Sequence, residues 1–435
     1  MKGPALALGA MMFAGAATAA PSPLAATLTL AQAQDIALRN HPLIHSAASA
    51  LDAAEAAIRI ARAPLYPQIA LTATQTIANN GSRIASVDGL TDPTVIERGS
   101  AGIVASQLVS DFGKTASEEA ASRSEAEAAR SQARLTQAQI ILNVTQAYYA
   151  ALDTAGLAEV ARETLSQRRI LLDQVAALAR SKLKSSLDVS IAGGDLDEAR
   201  QFLNDATAQH ENALAALSEA LGDPDFHAYA PLPPASVPRV SGDLDQYIDA
   251  AVASNPALRE RAAQEEAARS RVEAAQRAFY PEIHALAYAG GTPETGAGAK
   301  LPSTYAVGGV VLRVPLYSGG ALSAAVRRAD AEADAEGYRL EEQRNRLRRD
   351  VHAAFDDLRS SYDNIAVTRS ILDNAERALR LTRASYQIGA SSIVDLSAAQ
   401  LRRTQAAIAN TDATYHYLLR RAAFDYLLGA TSPTP

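Results

Sequence analysis

The sequence predicts an α+β fold in which one module, made of very long coiled-coil helices and a pair of strands, is used twice. Three observations carry this. Short motifs recur in the same order at two fixed offsets along the 435 residues. Two stretches, 113–180 and 320–387, contain no proline and one internal glycine each, Gly156 and Gly337. Four segments of roughly ten residues read as strands, two in each half, and that length suits tilted strands crossing a bilayer (~9–11 residues).

The N-terminus reads as an export signal. Lys2 is followed by an apolar run over 5–16 and then by Ala17-Thr18-Ala19-Ala20, so residues 1–20 are expected to be cleaved after Ala19 or Ala20. The run is too short for a spanning helix, which needs ~20 apolar residues. Cysteine is absent, which excludes a lipoprotein-type N-terminal cysteine, disulfides and thiolate metal sites. With 41 basic and 48 acidic residues the net charge is −7, and no basic patch marks nucleic acid as a partner. No stretch of the mature chain is apolar for 18 residues, so any membrane crossing must be made by strands.

The repeat divides the chain. Pro42 and Pro256 are 214 apart, as are Tyr66-Pro67 and Tyr280-Pro281. Val144 and Val351, Tyr148 and Phe355, Asp188 and Asp395, and Leu221-Gly222 and Leu428-Gly429 are all 207 apart. The halves are 21–222 and 243–429, joined by a proline-rich linker at 223–242 and followed by a tail at 430–435. The seven-residue difference must fall between Pro67 and Val144.

Within each half the elements follow in order. Amphipathic helices are expected at 28–39 and 244–253. A proline then opens helices at 42–63 and 256–278, because proline suits a helix's first turn. Ile69, Leu71, Ala73, Gln75 and Ile77 alternate, so 69–77 reads as a strand, paired across a polar loop with 101–112. Strands at 283–289 and 305–317 play the same parts. The long helices at 113–180 and 320–387 would each reach about 100 Å at ~1.5 Å per residue. Val351, Leu358, Ile365, Leu372, Leu379 and Tyr386 recur every seven residues, the spacing of left-handed coiled-coil packing. The returning helices, 186–221 and 393–428, are too short to pair with the whole outgoing helix. Stacked end to end with the 20-residue helix before the strands, they could complete the return. The hairpin tips fall at 181–188 and 387–395.

Four strands cannot close a barrel, and open edges are not tolerated in lipid. Two copies would give eight strands and three would give twelve; the residues alone prefer neither.

Asn255-Pro256 at a helix start, Tyr-Pro before each strand pair, Pro315-Leu316-Tyr317-Ser318-Gly319-Gly320 after the last strand, and Tyr386-x-x-Gly389 followed by Ile393-Val394-Asp395 resemble the TolC-like outer-membrane efflux and secretion channels. The resemblance covers the mature chain in order and in duplicate. It implies a homotrimer with a twelve-stranded β-barrel in outer-membrane lipid, continuous with a periplasmic α-barrel of long helices. It implies no enzymatic activity and no cofactor. The implied partners are a periplasmic adaptor protein and an inner-membrane transporter, in a tripartite pump or type I secretion system.

The resemblance also marks the tips. Asp395 matches a family aspartate that rings the pore, whereas the position of a second ring is Ala398. Tyr386 and Asp188 match a pair that links adjacent hairpins. Ser391 stands two residues after Gly389, where the family carries a bridging arginine; Lys182 and Lys184 at the other tip are candidate replacements. A local reading stands beside this one. Ser185-x-x-Asp188 and Ser392-x-x-Asp395 both fit a capping box, Lys182 and Lys184 suit a helix C-terminus, and Tyr386 could be the last residue of its heptad row.

Catalytic readings are poor. Asp111-Phe112-Gly113 lacks the other kinase motifs and reads as a turn between strand and helix. Gly296-Ala297-Gly298 lacks the Lys-Ser/Thr of a phosphate-binding loop. His41 and His45 share a helix face without a third ligand. Two classes remain: a transmembrane conduit, and a soluble periplasmic coiled-coil scaffold or adaptor with its strands in a small sandwich.

Overall fold

The computed structural model describes residues 26–77, 84–87, 90–92, 97–225, 227, 229–291 and 304–429. The expected signal peptide, the tail at 430–435 and most of the two strand loops lie outside the described residues. The first half runs β1 (Ala26–Leu28), α1 (Leu30–Asn40), α2 (Pro42–Arg62), β2 (Gln68–Ile77), β3 (Ile84–Val87), β4 (Leu90–Asp92), β5 (Glu97–Ser110), α3 (Lys114–Arg180) and α4 (Ser186–Ala220). After β6 (Tyr229–Pro231), the second half runs α5 (Leu244–Ser254), α6 (Pro256–Arg277), β7 (Glu282–Gly291), β8 (Thr304–Arg313), α7 (Ala321–Gln387) and α8 (Ile393–Leu427).

The duplication is present in the backbone. The bounds of α7 and α8 lie 207 residues after those of α3 and α4, and α5 begins 214 after α1. Nineteen residues separate β2 from β5 and twelve separate β7 from β8, so the seven-residue difference is a longer first strand loop. That loop carries the small β3–β4 hairpin, which its polar composition did not suggest. The last strand is shorter than expected: it stops at Arg313 rather than 317, because Pro315 cannot donate to the ladder. The positive φ values of Gly319 and Gly320 then turn the chain into α7. At the matching point in the first half Asp111 accepts from the amides of Gly113 (3.0 Å) and Thr115 (2.7 Å), capping α3. This sequence is the turn its composition predicts.

Each long helix spans 67 residues, about 100 Å at ~1.5 Å per residue. The return is made by two helices stacked end to end. The Gly222 backbone at the end of α4 lies against Asn40 and His41, where α2 begins. The end of α8 meets α6 in the same way: Asn255 Oδ1 accepts from the Ala257 amide, and its Nδ2 donates to the Leu427 carbonyl at 3.0 Å. One side chain thus serves the free amides of one helix and a free carbonyl of the other. α3 packs on α2, α4, α6 and α8, and α7 packs on α5, α6 and α8.

The main core lies where these stacks meet, around Val144, Tyr148, Val351, Phe355, Leu358, Tyr417 and Phe424. The proline-rich linker is not a free tether. β6 pairs in parallel with β1, and the Tyr148 hydroxyl lies within 2.8 Å of the carbonyls of Leu28 and Leu232 and accepts the Leu232 N–H at 2.9 Å. Among the described residues no helix is long and apolar enough to cross a membrane.

Candidate functional site

The sheet at one end of the rod has the order β2-β5-β7-β8, all antiparallel. Directly paired residues share a face, so the register sorts the side chains. On one face the two central rows read Leu71–Ile103–Ala289–Ala306 and Ile69–Ala105–Ala287–Gly308, apolar across all four strands, with Gln107 and Thr304 in the rows at either end. The other face mixes polar and apolar, with rows Thr72–Gly102–Gly290–Tyr305 and Gln68–Ser106–Leu286–Gly309. Among the described residues nothing covers the apolar face: Ile69 is 71% exposed, Leu71 79% and Val310 71%. A soluble sandwich would bury such a wall; a bilayer solvates it. Exposed aromatics stand at the strand–helix junctions, namely Tyr66, Phe112, Phe279, Tyr280 and Tyr317, where transmembrane barrels carry their interfacial girdles.

Both layers end in open flanks. β2 and β8 are edge strands. α2, which leads into β2, buries none of its residues, and α7, which follows β8, buries none before Leu347.

The hairpin tips at the far end are built alike. Lys182 (φ 59) and Gly389 (φ 79), 207 residues apart, take the same left-handed position. The turns then close with matching bonds: Leu183 N–H to the Leu178 carbonyl (2.9 Å) and Ala390 N–H to that of Ser385 (2.8 Å). Both capping boxes form. Asp188 Oδ2 accepts from the Ser185 amide (2.9 Å) and hydroxyl (3.0 Å). Asp395 Oδ2 does the same with Ser392 (2.9 and 2.7 Å). The bonds from Ser392 hold the exposed Asp395 carboxyl below its usual range.

Tyr386 is buried at 4% exposure against Leu171 and Val175 of α3 and Ile393 and Leu396 of α8. It therefore joins the chain's two hairpins. Lys184 places its ammonium 4.0 Å from the ring centroid, a cation–π contact worth about 0.5–1 kcal/mol at exposed sites. The Tyr386 hydroxyl is buried without a hydrogen-bond partner. Burial, and after it the nearby Asp188 charge, push its pKa up. Within one chain, then, the structure brings together Tyr386, Lys184 and Asp188. Asp395, Gly389 and Lys182 stay outside this cluster, and Ser391 only donates to the Thr382 carbonyl at 3.4 Å.

A second set of residues was missed by sequence reasoning. Arg168 is buried in the seam between the hairpins, with Nη1 2.7 Å from Asp195 Oδ2 of α4 and 3.3 Å from Ser397 Oγ of α8. It also donates to Gln400. The signal was available: Ala161, Arg168 and Val175 are seven apart and all buried, so Arg168 is a charge in an otherwise apolar heptad row.

The model of the outer membrane efflux protein family matches residues 33–223 and 247–430, one match per half. The chain is 25% identical to the outer membrane protein TolC of Escherichia coli K12 over 432 residues, covering 94% of this chain and 83% of that one. It superposes on a membrane protein of Pseudomonas aeruginosa with a TM-score of 0.79 at 21% identity, covering 92% and 93% of the two chains. Against the outer membrane protein VceC of Vibrio cholerae the TM-score is 0.76 at 19% identity, covering 92% and 96%. With the model matched over both halves and the fold shared end to end, the chain belongs to the outer membrane efflux protein family and is an exit channel of the Gram-negative outer membrane.

Proposed function

We propose that three copies assemble into one duct that serves a tripartite efflux pump or a type I secretion system. The observation that carries this is the pairing of open flanks. An exposed edge strand and an exposed helix lie on the same side of the chain at each flank, so one head-to-tail contact would satisfy both layers. Repeating it three times gives twelve strands, enough to enclose a channel rather than a side-chain-filled core. The apolar sheet face would then meet lipid and the mixed face the lumen. A periplasmic adaptor and an inner-membrane transporter are the expected partners at the tip end.

The tip is the proposed gate. Three copies of Asp395 around the axis would form a carboxylate constriction that binds cations. Tyr386, with Lys184 over its ring and Asp188 beside it, would hold the two hairpins of a protomer together in the closed state. Lys184 supplies the cation that Ser391 does not.

The assembly is tested by fractionation. The protein should enter outer membranes, need detergent for extraction and run as a trimer. Epitope tags within 79–99 or 291–303 should be reached on intact cells, and a tag at 182–186 should not. A soluble periplasmic monomer would overturn the reading, and the reverse labelling would invert the orientation.

A further inference from the structure

Below the main core, toward the tips, the contacts between the two hairpins are of two kinds, separated along the rod. Nearest the tips they are apolar, with the Lys184–Tyr386 contact at their rim. Just above lies a belt of polar contacts made by four residues of α3 within the stretch 163–168. Glu163 accepts from Arg403 of α8 at 2.8 Å. The hydroxyls of Thr164 and Thr404 are 3.2 Å apart. Gln167 accepts from Arg383 of α7 at 2.9 Å. Arg168, the innermost, binds Asp195, Ser397 and Gln400.

These two kinds of contact respond differently to motion. Apolar surfaces slide with little change in energy until they part. A buried guanidinium held by three acceptors cannot shift without leaving its charge unpaired, and the half-buried Asp195 carboxylate would keep only the Ser397 hydroxyl. The belt is also made only once in each chain. The positions 207 away from Arg168, Asp195, Ser397 and Gln400 are Ala375, Arg402, Ser190 and Gly193, which cannot rebuild it. The clamp therefore ties a chain's own hairpins together and leaves the outer flanks free.

We propose that Arg168 is the positioning residue that sets the fulcrum of gate opening. The hairpins stay clamped at the belt, and only the segment between it and the tips, twelve residues of α3 from Arg168 to Arg180 or about 18 Å at ~1.5 Å per residue, splays. This inference rests on the reading of the tip as a gate.

The chain has no cysteine, so engineered pairs report cleanly. Thr164→Cys/Thr404→Cys locks the belt by a disulfide, and Lys184→Cys/Tyr386→Cys, bridged by a short bifunctional thiol reagent, locks the tip. Each is compared, as detergent-stable trimer and in cells, with its own reduced or unreacted form. Locking the tip should abolish export, and locking the belt should leave export at its reduced level. A belt lock that abolishes export overturns the fulcrum while the gate stands. If the tip lock has no effect, the gate reading falls and the fulcrum falls with it. A second variant, Arg168→Leu/Asp195→Leu, removes both charges without leaving either unpaired. It should assemble as a trimer with severalfold higher resting conductance in planar bilayers, and the Thr164–Thr404 disulfide should restore the low value. Unchanged conductance in this trimer overturns the role of Arg168.

Discussion

The two halves of the chain have nearly the same backbone and different chemistry where they touch. α3 and α7 are equal in length, both tips turn through one left-handed residue, and both returning helices begin with a Ser-x-x-Asp box. At the crossing between hairpins the match fails. Tyr386 faces the other hairpin, whereas its counterpart is Ala179; Arg168 is matched by Ala375, and Lys184 by Ser391. The shared part is what each hairpin needs to fold by itself. The differing part makes two similar hairpins into one non-symmetric pair with a defined inner seam.

The largest expected effect comes from breaking that asymmetry. Arg168→Ala removes a buried guanidinium from its three acceptors, leaves the half-buried Asp195 with only the Ser397 hydroxyl, and should cost about 2–3 kcal/mol in chemical denaturation. Arg402→Ala, at the exposed position matching Asp195, should change stability by less than about 0.5 kcal/mol. Equal costs for the two would mean that the seam is not where the halves differ.

A pH dependence comes next. Asp153 of α3 faces Asp412 of α8, and Asp153 is raised to about 6 by burial first and then by the Asp412 charge. Burial also raises Asp412, while His416 opposes it. Folded, Asp153 keeps its proton up to about pH 6; unfolded, it releases it near 3.8. The folded state thus binds more protons in that window, and stability falls as pH rises through it and stays low above it. The size is at most about 3 kcal/mol and is lessened by solvent screening. The matching residue in the other half is Ser360, which has no such dependence. Asp153→Asn should raise the melting temperature at pH 7.5 and flatten its fall between pH 4 and 6; a slope as steep as in the parent protein would refute the assignment.

Smaller effects separate the two helix stacks. Asn255→Ala loses both a cap and the bond to Leu427 and should cost about 1–2 kcal/mol. His41 accepts only from the Leu43 amide at 3.2 Å, so His41→Ala should cost less. The reverse order would show that the first joint is the tighter one.

The smallest effect on stability is expected from Tyr386→Phe, within about 0.5 kcal/mol, because the hydroxyl has no bond to lose. Single-channel records sharpen the comparison between tips. Lys184→Ala should raise resting conductance more than Tyr386→Phe does, whereas Asp395→Asn in a folded trimer should weaken block by divalent cations. Unchanged block would make Asp395 a helix cap and nothing more.

The repeat, the helix bounds and the strand faces were legible in the sequence to within a few residues. These features are written locally: proline at a first turn, glycine at a left-handed turn, an acid three residues into a helix, alternation along a strand. The alternation of Ile69, Leu71 and Ala73 places these side chains on one face of their strand before any pairing is known. The β3–β4 hairpin and the tuck of the linker under Tyr148 carried no comparable local mark. Asp188 and Asp395 were legible as caps because a capping box is closed within four residues, whereas the ring proposed for Asp395 requires other chains and the link proposed for Asp188 requires another hairpin.

What the tertiary structure alone decided is which faces of two near-identical hairpins meet. A heptad row states that a face is buried but not against which partner or in what rotation, because both long helices offer one. Only the packed helices place Arg168 against Asp195, Ser397 and Gln400, residues up to 232 positions away. The same packing sets Lys184 over Tyr386. The sequence by itself determined that there would be two long hairpins, a joint between them and four strands at one end. Their mutual rotation follows from matching buried charges and ring contacts across the seam, a requirement that exists only once the helices are side by side.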